Sequence, residues 1–464
     1  VWSREESIRG HHKRHAFYIH HKLGATSDGR ITAMEVELIA DAGAYASSST
    51  AVLANAVLLA CGPYKVPNVK VDGYAVYTNN LRAGAMRGFG SNQAMFAIEL
   101  QMSRLAEKLN MDRSLLRANQ MWEEGTELPT QTVVPPGVGI RETLMQLTET
   151  AGWSDKGPLR PPASGPHKRT GVGLACGFKN VGYSFGFPEQ ATSTVELYGE
   201  QQIDRAVVRI AAAEVGQGAT TVLAQIAART LGIPYESVEI PAIDTAEVPN
   251  AGSSSASRQT FMSGNAVKGA CKRALEAWEK GDRPAEATYQ YLPPRTTPYD
   301  PNTGECYPNF SYGYGSQIAE VEVDTETGEV TLTRVLAAHD AGEVINPLAF
   351  EGQVEGGVVM AQGWALIEDF VQQDGLIKTR RFSELLIPTA VDVPSEIVHC
   401  PVAVGDPLGP YGARGVGEMT MILLAPAILD AIHDATGIWF NAIPVKAEDV
   451  LLALKQQASA SRPS

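Results

Sequence analysis

Ile318-Ala-Glu-Val-Glu-Val-Asp324, the turn Thr325-Glu-Thr-Gly328 and Val330-Thr-Leu-Thr-Arg-Val-Leu336 read together as a β-hairpin, because apolar and polar residues alternate on both sides of a turn closed by glycine. The hairpin stands among segments with a different period. From Asn92 to Asn110, Met95, Ile98, Met102, Leu105 and Leu109 recur at the spacing of one helix face, which makes that face core. Hairpins beside long helices, with no fixed repeat of about 20 to 50 residues, indicate an α+β chain rather than a solenoid or propeller.

Downstream of the hairpin, Asp340-Ala-Gly-Glu-Val-Ile-Asn346-Pro347 ends the second strand. A small-residue helix follows, Gln353-Val-Glu-Gly-Gly-Val-Val-Met-Ala-Gln362-Gly363. Each interior glycine costs about 1 kcal/mol relative to alanine, so close packing against a backbone or a ligand must offset it. Gly412-Ala-Arg-Gly415-Val-Gly417-Glu418 then runs into the apolar segment Met419 to Ala435, and a closing helix spans Glu448 to Lys455. The glycines permit close backbone approach and deliver one carboxylate, Glu418, to the start of a helix. That carboxylate is the candidate for chemistry, although taken by itself it reads more readily as a first-turn acid facing the helix dipole.

Upstream, Gly281 to Asn309 is Pro-rich and expected to be mostly irregular. Before it, Gly252-Ser-Ser-Ser-Ala256-Ser257-Arg258-Gln259-Thr260 opens a helix with hydroxyls, an arginine and free amides, the components of a phosphate seat or of a plain helix cap. Strands at Ala191 to Leu197 and Ala206 to Ala212 lead into Glu214-Val215-Gly216-Gln217-Gly218 and a helix from Thr220 to Leu231. A strand, glycine turn and helix suit the polar edge of a cofactor, although the dinucleotide and P-loop spacings are absent. Leu159-Arg-Pro-Pro-Ala-Ser-Gly-Pro is the clearest border, dividing the chain into residues 1–160 and 161–464; a helix from Ile140 to Ala151 precedes it. Ahead of the helix at Asn92, the loop Arg82-Ala-Gly84-Ala-Met86-Arg87-Gly88-Phe89-Gly90 suits an oxygen-rich ligand, or is an ordinary turn with a surface arginine. Val1 to Asn80 reads mainly as strands joined by turns. Its His11, His12, His15, His20 and His21 are flanked by Lys and Arg without carboxylates, which favours a solvated strand edge over a metal site.

The 464 residues, 44% hydrophobic, suffice for two or more cores, and a net charge of -14 argues against nucleic acid or an anionic membrane as partner. An acidic soluble enzyme fits better. Cys61, Cys176, Cys271, Cys306 and Cys400 are scattered, without zinc or iron–sulfur spacing, and suit a reducing compartment such as the cytoplasm. No run approaches the ~18 consecutive apolar residues of a membrane helix, and no secretory leader opens the chain. The start at Val1 suggests a fragment, or a processed or split subunit.

Six stretches occur in order: Ala85-Met-Arg87-Gly-Phe89-Gly, Glu214-Val-Gly-Gln217-Gly, Ala256-Ser257 through Thr260, Asp340 through Asn346-Pro347, Gln353-Val-Glu-Gly-Gly and Gly415-Val-Gly-Glu418. Together they resemble the molybdenum-binding part of the xanthine dehydrogenase and aldehyde oxidase family, over nearly the whole chain. The resemblance implies two elongated mixed α/β subdomains and a molybdenum–pterin cofactor, bare or extended as the cytosine dinucleotide. The metal would be held by the pterin dithiolene and by no protein ligand. Val215, Gly216 and Gln217 would line the pterin, with Gln217 near an oxo group. Ala256, Ser257, Arg258, Gln259 and Thr260 would hold its tail, and Met86, Gln353 and Gly417 would also meet it. Arg87 would stand beside the metal, and Phe89 and Phe185 would sandwich a flat substrate.

Glu418 matches the general base. It would take a proton from a hydroxyl on the metal, while the oxygen enters an activated C–H carbon and hydride passes to a sulfido ligand. A carboxylate in a water-poor pocket suits that task. Two departures touch the substrate wall: Asn55 stands where purine-oxidising members carry arginine, and Gly186 replaces a hydroxyl-bearing residue. An N-heterocycle other than xanthine, purine-like or nicotinate-like, or an aromatic aldehyde is implied, the latter making the chain an aldehyde oxidoreductase. A non-catalytic cofactor-storage or assembly protein is the reading from another class. The family's upstream Gly-Gly-x-Phe-Gly segment has no counterpart here, so a partner chain is expected to supply the first part of the domain, with iron–sulfur and flavin (FAD) subunits beside it. Without that wall Glu418 is expected to be solvated.

Overall fold

The computed structural model describes residues 1–154 and 157–460. Helix α1 (Arg4–Gly10) starts at a reciprocal capping box of Ser3 and Glu6 and precedes β1 (Phe17–Ala25) and β2 (Ile31–Gly43), which pair antiparallel. Helix α2 (Ser49–Leu59) then crosses to β3 (Val69–Tyr77), parallel to β2, completing a three-stranded sheet. Helix α2 corrects the expectation of strands and turns up to residue 80. Its buried Ser49, Val52, Leu53, Asn55, Ala56 and Leu59 leave no clean polar face from which a helical period could be read. A parallel strand pair also requires a crossover.

The expected helix follows as α3 (Ser91–Leu109), with Met95, Ile98 and Met102 fully buried, and then α4 (Arg113–Gln120) and α5 (Ile140–Thr150). Glu99 on α3 and Arg117 on α4, both buried, pair at 2.8 Å, and the same carboxylate accepts from the Cys176 amide at 2.7 Å. One buried acid thus ties two helices to the next strand.

That strand is β4 (Lys168–Asn180); β5 (Ala191–Tyr198), β6 (Arg205–Arg209), α6 (Ala219–Leu231), β7 (Val238–Glu239), α7 (Gly264–Glu279) and β8 (Ala285–Tyr291) come after it. The last four strands form one sheet, ordered β7-β6-β5-β8, against which α7 packs. Strand β8 lies in the passage expected to be irregular; its Ala-Glu-Ala-Thr-Tyr-Gln-Tyr alternation is masked by prolines on both sides, and β5 pairs with it throughout. The predicted hairpin is β9 (Tyr312–Asp324) with β10 (Val330–Asp340), antiparallel. Helix α8 (Pro347–Gln362), capped by the Asn346 side chain, leads through β11 (Gln372–Gln373), β12 (Leu376–Ile377) and α9 (Phe382–Leu385) to β13 (Glu396–Val402). Helices α10 (Leu424–Thr436) and α11 (Ala447–Ala460) close the chain.

The hairpin sits inside a second four-stranded sheet, β13-β10-β9-β4, and α10 lies on β4. A Cβ at Gly171 or Gly173 of β4 would collide with the carbonyl oxygens of Ala431 or Ala427, so these bare positions admit the helix. Residues Met419–Thr436 have the length and mean hydropathy, 1.3, of a membrane-crossing helix, yet 83% of the stretch is buried inside the protein as core. One apolar core gathers residues between Ile31 and Phe178 and between Tyr312 and Leu454; a second gathers those between Val181 and Phe310. The Pro-rich passage near residue 160 therefore runs beside the first core and does not part the two. The second core is an insertion between β4 and β9.

Candidate active site

Where the two cores meet, a cavity of about 770 Å³ opens. It is bounded by the loop before α3, the ends of β4, the loops at 182–187, 215–217 and 254–260, α8, and the segment Gly415–Glu418. The last of these is held from behind. Arg414 and Asp340, neither exposed at all, form an ion pair, and the same guanidinium donates to the Gly137 and Gly405 carbonyls. Asp340 in turn accepts from the amides of Gly342 (3.0 Å) and Gly405 (3.2 Å). The Asp340-Ala-Gly and Ala-Arg414-Gly motifs, far apart in sequence, are the two halves of one clamp.

From that clamp Glu418 enters the cavity. Its amide donates to Ser257 Oγ at 3.1 Å, its Oε1 accepts from the Gly88 amide at 3.1 Å, and its Oε2 lies 3.1 Å from Lys179 Nζ. The side chain is 12% exposed, so it is not solvated as expected: Lys179, itself 2% exposed, covers it together with the loop before α3. Arg87 lies behind the base, donating through Nε to the Gly417 carbonyl at 2.5 Å and through Nη2 to Gln353 O, Gln353 Oε1 and Thr420 Oγ1. Burial pushes the Arg87 guanidinium down, and the charge of Glu418 acts in the opposite sense. Arg14, partly buried and pushed down to about 10 by burial, donates to the Arg87 carbonyl at 2.8 Å. Three cations thus surround one carboxylate.

The aromatic walls stand at strained backbone positions. Phe89 has φ 46° and Phe185 φ 58°, values that bulky side chains rarely adopt. Phe185 stacks on Tyr299, centroids 4.8 Å apart. Asn55, buried on α2, donates from Nδ2 to the Phe89 carbonyl at 2.7 Å, and its Oδ1 finds no partner among the described residues. Since the carbonyl can only accept, the amide cannot flip, and Asn55 keeps a buried, unpaired acceptor at a residue that lines the cavity.

The tail loop is built differently from the expectation. Arg258 is fully engaged: it pairs with buried Glu189 at 2.7 Å and donates to the carbonyls of Ala251, Ser253 and Gln190. Gln259 donates to Ser253 O and Ser254 Oγ. Arg258 therefore shapes the loop, holding Ala256 and Ser257 at φ 51° and 53°, and offers no free guanidinium. In the 214–218 turn, Glu214 accepts from the amides of Gly216, Gly218 and Thr220. Burial would raise its pKa, but these amide donors outweigh burial and hold the carboxyl below its ordinary value. The turn already contains its own anion, and Gln217 bonds back to Val215 N and Ala213 O.

Of the sequence-predicted residues, the cavity gathers Glu418, Arg87, Gln217, Val215, Met86, Ala256, Ser257, Arg258, Gln259, Thr260, Gln353, Gly417, Phe89, Phe185 and Asn55. Gly216 and Gly186 lie on the bordering turns, at φ 99° and 81°, without lining it. Sequence reading missed Lys179, Asn180, Arg14, Glu189 and Glu214. The one available signal for Lys179 was a charge closing the otherwise apolar strand Gly171 to Phe178. Among the described residues no three His, Cys, Asp or Glu side chains come together as a metal site.

The lining suits a flat, nitrogen- and oxygen-rich group. At Gly417 a Cβ would project to 3.7 Å from Ser257 Oγ and 3.9 Å from Gln353 Oε1, filling the gap between two polar atoms that the bare backbone leaves open. Gln217, Gln259 and Thr260 supply further polar edges on the same side, and the volume is that of a cofactor-sized site.

The family pattern described as Molybdopterin cofactor-binding domain matches residues 1–121, and a second of the same description matches 146–283 and 276–394. The chain is 33% identical to one subunit of a probable xanthine dehydrogenase of Bacillus subtilis, over 98% of its own length and 64% of the relative's. It is 29% identical to the gamma subunit of the 6-hydroxypseudooxynicotine dehydrogenase complex of Paenarthrobacter nicotinovorans, over 94% and 60%. The solved structure of aldehyde oxidoreductase from Desulfovibrio gigas superposes with a TM-score of 0.88 at 30% identity, covering 98% of this chain and 51% of that one. The chain spans about half to two thirds of the length of these relatives.

Proposed function

Because this chain belongs to the molybdopterin cofactor-binding family of xanthine dehydrogenase subunits and aldehyde oxidoreductases, we propose that it acts, with partner chains, in the hydroxylation of an activated C–H carbon of an N-heterocycle by oxygen from water. The carrying observation is the Glu418 carboxylate, hydrogen-bonded at Oε1 by the Gly88 amide and ion-paired at Oε2 with Lys179, at the end of a cavity walled by Phe89 and Phe185. Gln217, Ser257, Gln259, Thr260, Gln353 and the bare backbone at Gly417 would hold the molybdenum–pterin group, with Arg87 behind it. When bound, that group supplies the electron sink and the Lewis acidity of the oxidation.

The chain's own residues do the rest. The two phenylalanines would orient a flat ring so that its electron-poor carbon faces the oxygen nucleophile, and burial keeps bulk water from competing. Glu418 would accept the nucleophile's proton on a lone pair left free by Gly88 and Lys179. Arg87 would hold the base's loop and face the developing negative charge.

Partner chains are supported by relatives described as subunits of larger enzymes, and iron–sulfur and flavin groups on those partners would carry the electrons onward. We place the chain in the cytoplasm, a reading supported by five buried free thiols that suit a reducing compartment. The cytosine dinucleotide is one form the pterin would take in the 254–260 loop. The second reading, an aldehyde oxidoreductase, is favoured by the likeness to the Desulfovibrio gigas enzyme. Purifying the chain with its partners and measuring molybdenum, pterin and substrate-induced bleaching would test the function. N-heterocycles assayed against aromatic aldehydes would separate the two enzymes, and metal without any bleaching would leave a storage protein.

A further inference from the structure

We infer that Lys179 is a positioning residue for the base, linking the substrate wall to Glu418 through Asn180; this rests on the reading of Glu418 as base. The Lys179 side chain is 2% exposed; its ammonium donates to Asn180 Oδ1 at 2.5 Å and Asn180 O at 3.3 Å, and stands 3.1 Å from Glu418 Oε2 as an ion pair without a hydrogen bond. A lysine so deeply buried persists only where its charge is matched, and Glu418 is the carboxylate that matches it.

Asn180 is not free to turn. Its Nδ2 donates to the Gly182 carbonyl at 3.0 Å and to Ser184 Oγ at 3.2 Å, and Ser184 Oγ also accepts from Asn309 Nδ2 at 2.8 Å. Its Oδ1 must therefore face Lys179. Gly182 and Ser184 belong to the turn that carries Phe185, so hydrogen bonds join the aromatic wall to Asn180 and Lys179, and the ion pair joins Lys179 to Glu418.

On the base itself, the Gly88 amide holds Oε1 by a hydrogen bond and the Lys179 charge draws Oε2 toward it, which together orient the carboxylate with respect to the cavity. Gly88 lies next to Phe89, so each oxygen is referenced to a different aromatic wall. A substrate ring that shifts either wall changes the direction of the base's free lone pairs. Lys179 transfers no proton; it holds the acceptor in register with the ring.

The test uses Lys179→Met and Lys179→Arg in the assembled, cofactor-loaded complex, beside Glu418→Gln. Lys179→Met should lower kcat at least thirtyfold while KM stays within about threefold, and Lys179→Arg should recover a substantial part of kcat. A proportional rise in KM with unchanged kcat, or no rescue by arginine, would overturn the inference while leaving Glu418 as base. Near-normal turnover in Glu418→Gln would instead remove the base and the inference with it. Independently of turnover, urea unfolding of the full chain with both single variants and Lys179→Met/Glu418→Gln should show non-additivity of tenfold or more in the folding equilibrium constant. Simple additivity would mean that the two groups are not coupled.

Discussion

The Nε of Arg87 donates to the carbonyl of Gly417 at 2.5 Å, so the loop before α3 and the loop that presents the base move as one body. The other guanidinium contacts reach Gln353 and Thr420 from Nη2, a geometry that needs the planar fork. Arg87→Lys can keep one of these bonds. It should lose about 2 kcal/mol of transition-state stabilisation, read as a roughly thirtyfold drop in kcat/KM with cofactor still bound. Equal activity of the lysine variant would show that charge alone suffices.

Glu418→Gln keeps an acceptor for the Gly88 amide but cannot take a proton. Turnover in the assembled complex should fall by about 100- to 10,000-fold at unchanged molybdenum and pterin content.

Asn55 lines the cavity and keeps a buried, unpaired Oδ1 because its amide nitrogen is committed to the Phe89 carbonyl; a ring N–H reaching past Phe89 would satisfy it. Substrates with a ring N–H should therefore lose about tenfold in kcat/KM with Asn55→Leu, whereas an aromatic aldehyde without a donor should be little affected. Parallel losses for both substrate types would place Asn55 in packing alone.

Two glycines of the base's loop should respond oppositely to alanine. At Gly415 a Cβ would collide with the carbonyl oxygen of Ser257, so Gly415→Ala forces the base loop and the tail loop apart. At Gly412, φ 83°, the Cβ would meet nothing, and only backbone strain of about 1 kcal/mol applies. Cofactor content of the purified variants should collapse for the first and persist for the second.

Acid should destabilise the fold through buried histidines. Burial pushes His339 down to about 3, with the charges of His399 and Arg87 adding to it, and burial pushes His15 and His21 down to about 4. Between these values and about 6.5, the unfolded chain binds protons that the folded chain refuses, so stability falls as the pH falls. Each histidine contributes up to about 1.4 kcal/mol per pH unit. Urea midpoints should drop from pH 7 to 5, and His339→Gln should flatten the slope; an unchanged slope would assign the acid lability elsewhere.

Much of the site was legible because its parts are glycine turns at helix entrances, and such turns need particular residues whatever surrounds them. The hairpin β9–β10 and the apolar face of α3 were equally readable, since their periods are clean. Helix α2 was not, because it is buried around most of its circumference, and β8 was not, because flanking prolines outweighed seven alternating residues.

By itself the sequence determined the local chemistry: an α+β chain, ordered glycine loops, and one carboxylate at residue 418. Only the tertiary structure decided which charges are spent and which are available. Arg258 looked free and is consumed by Glu189; Lys179 looked like the end of a strand and faces the base. The physical reason is that a buried charge is defined by its partner, and these partners lie 69 and 239 residues away, respectively, brought close only when the two cores close on one cavity.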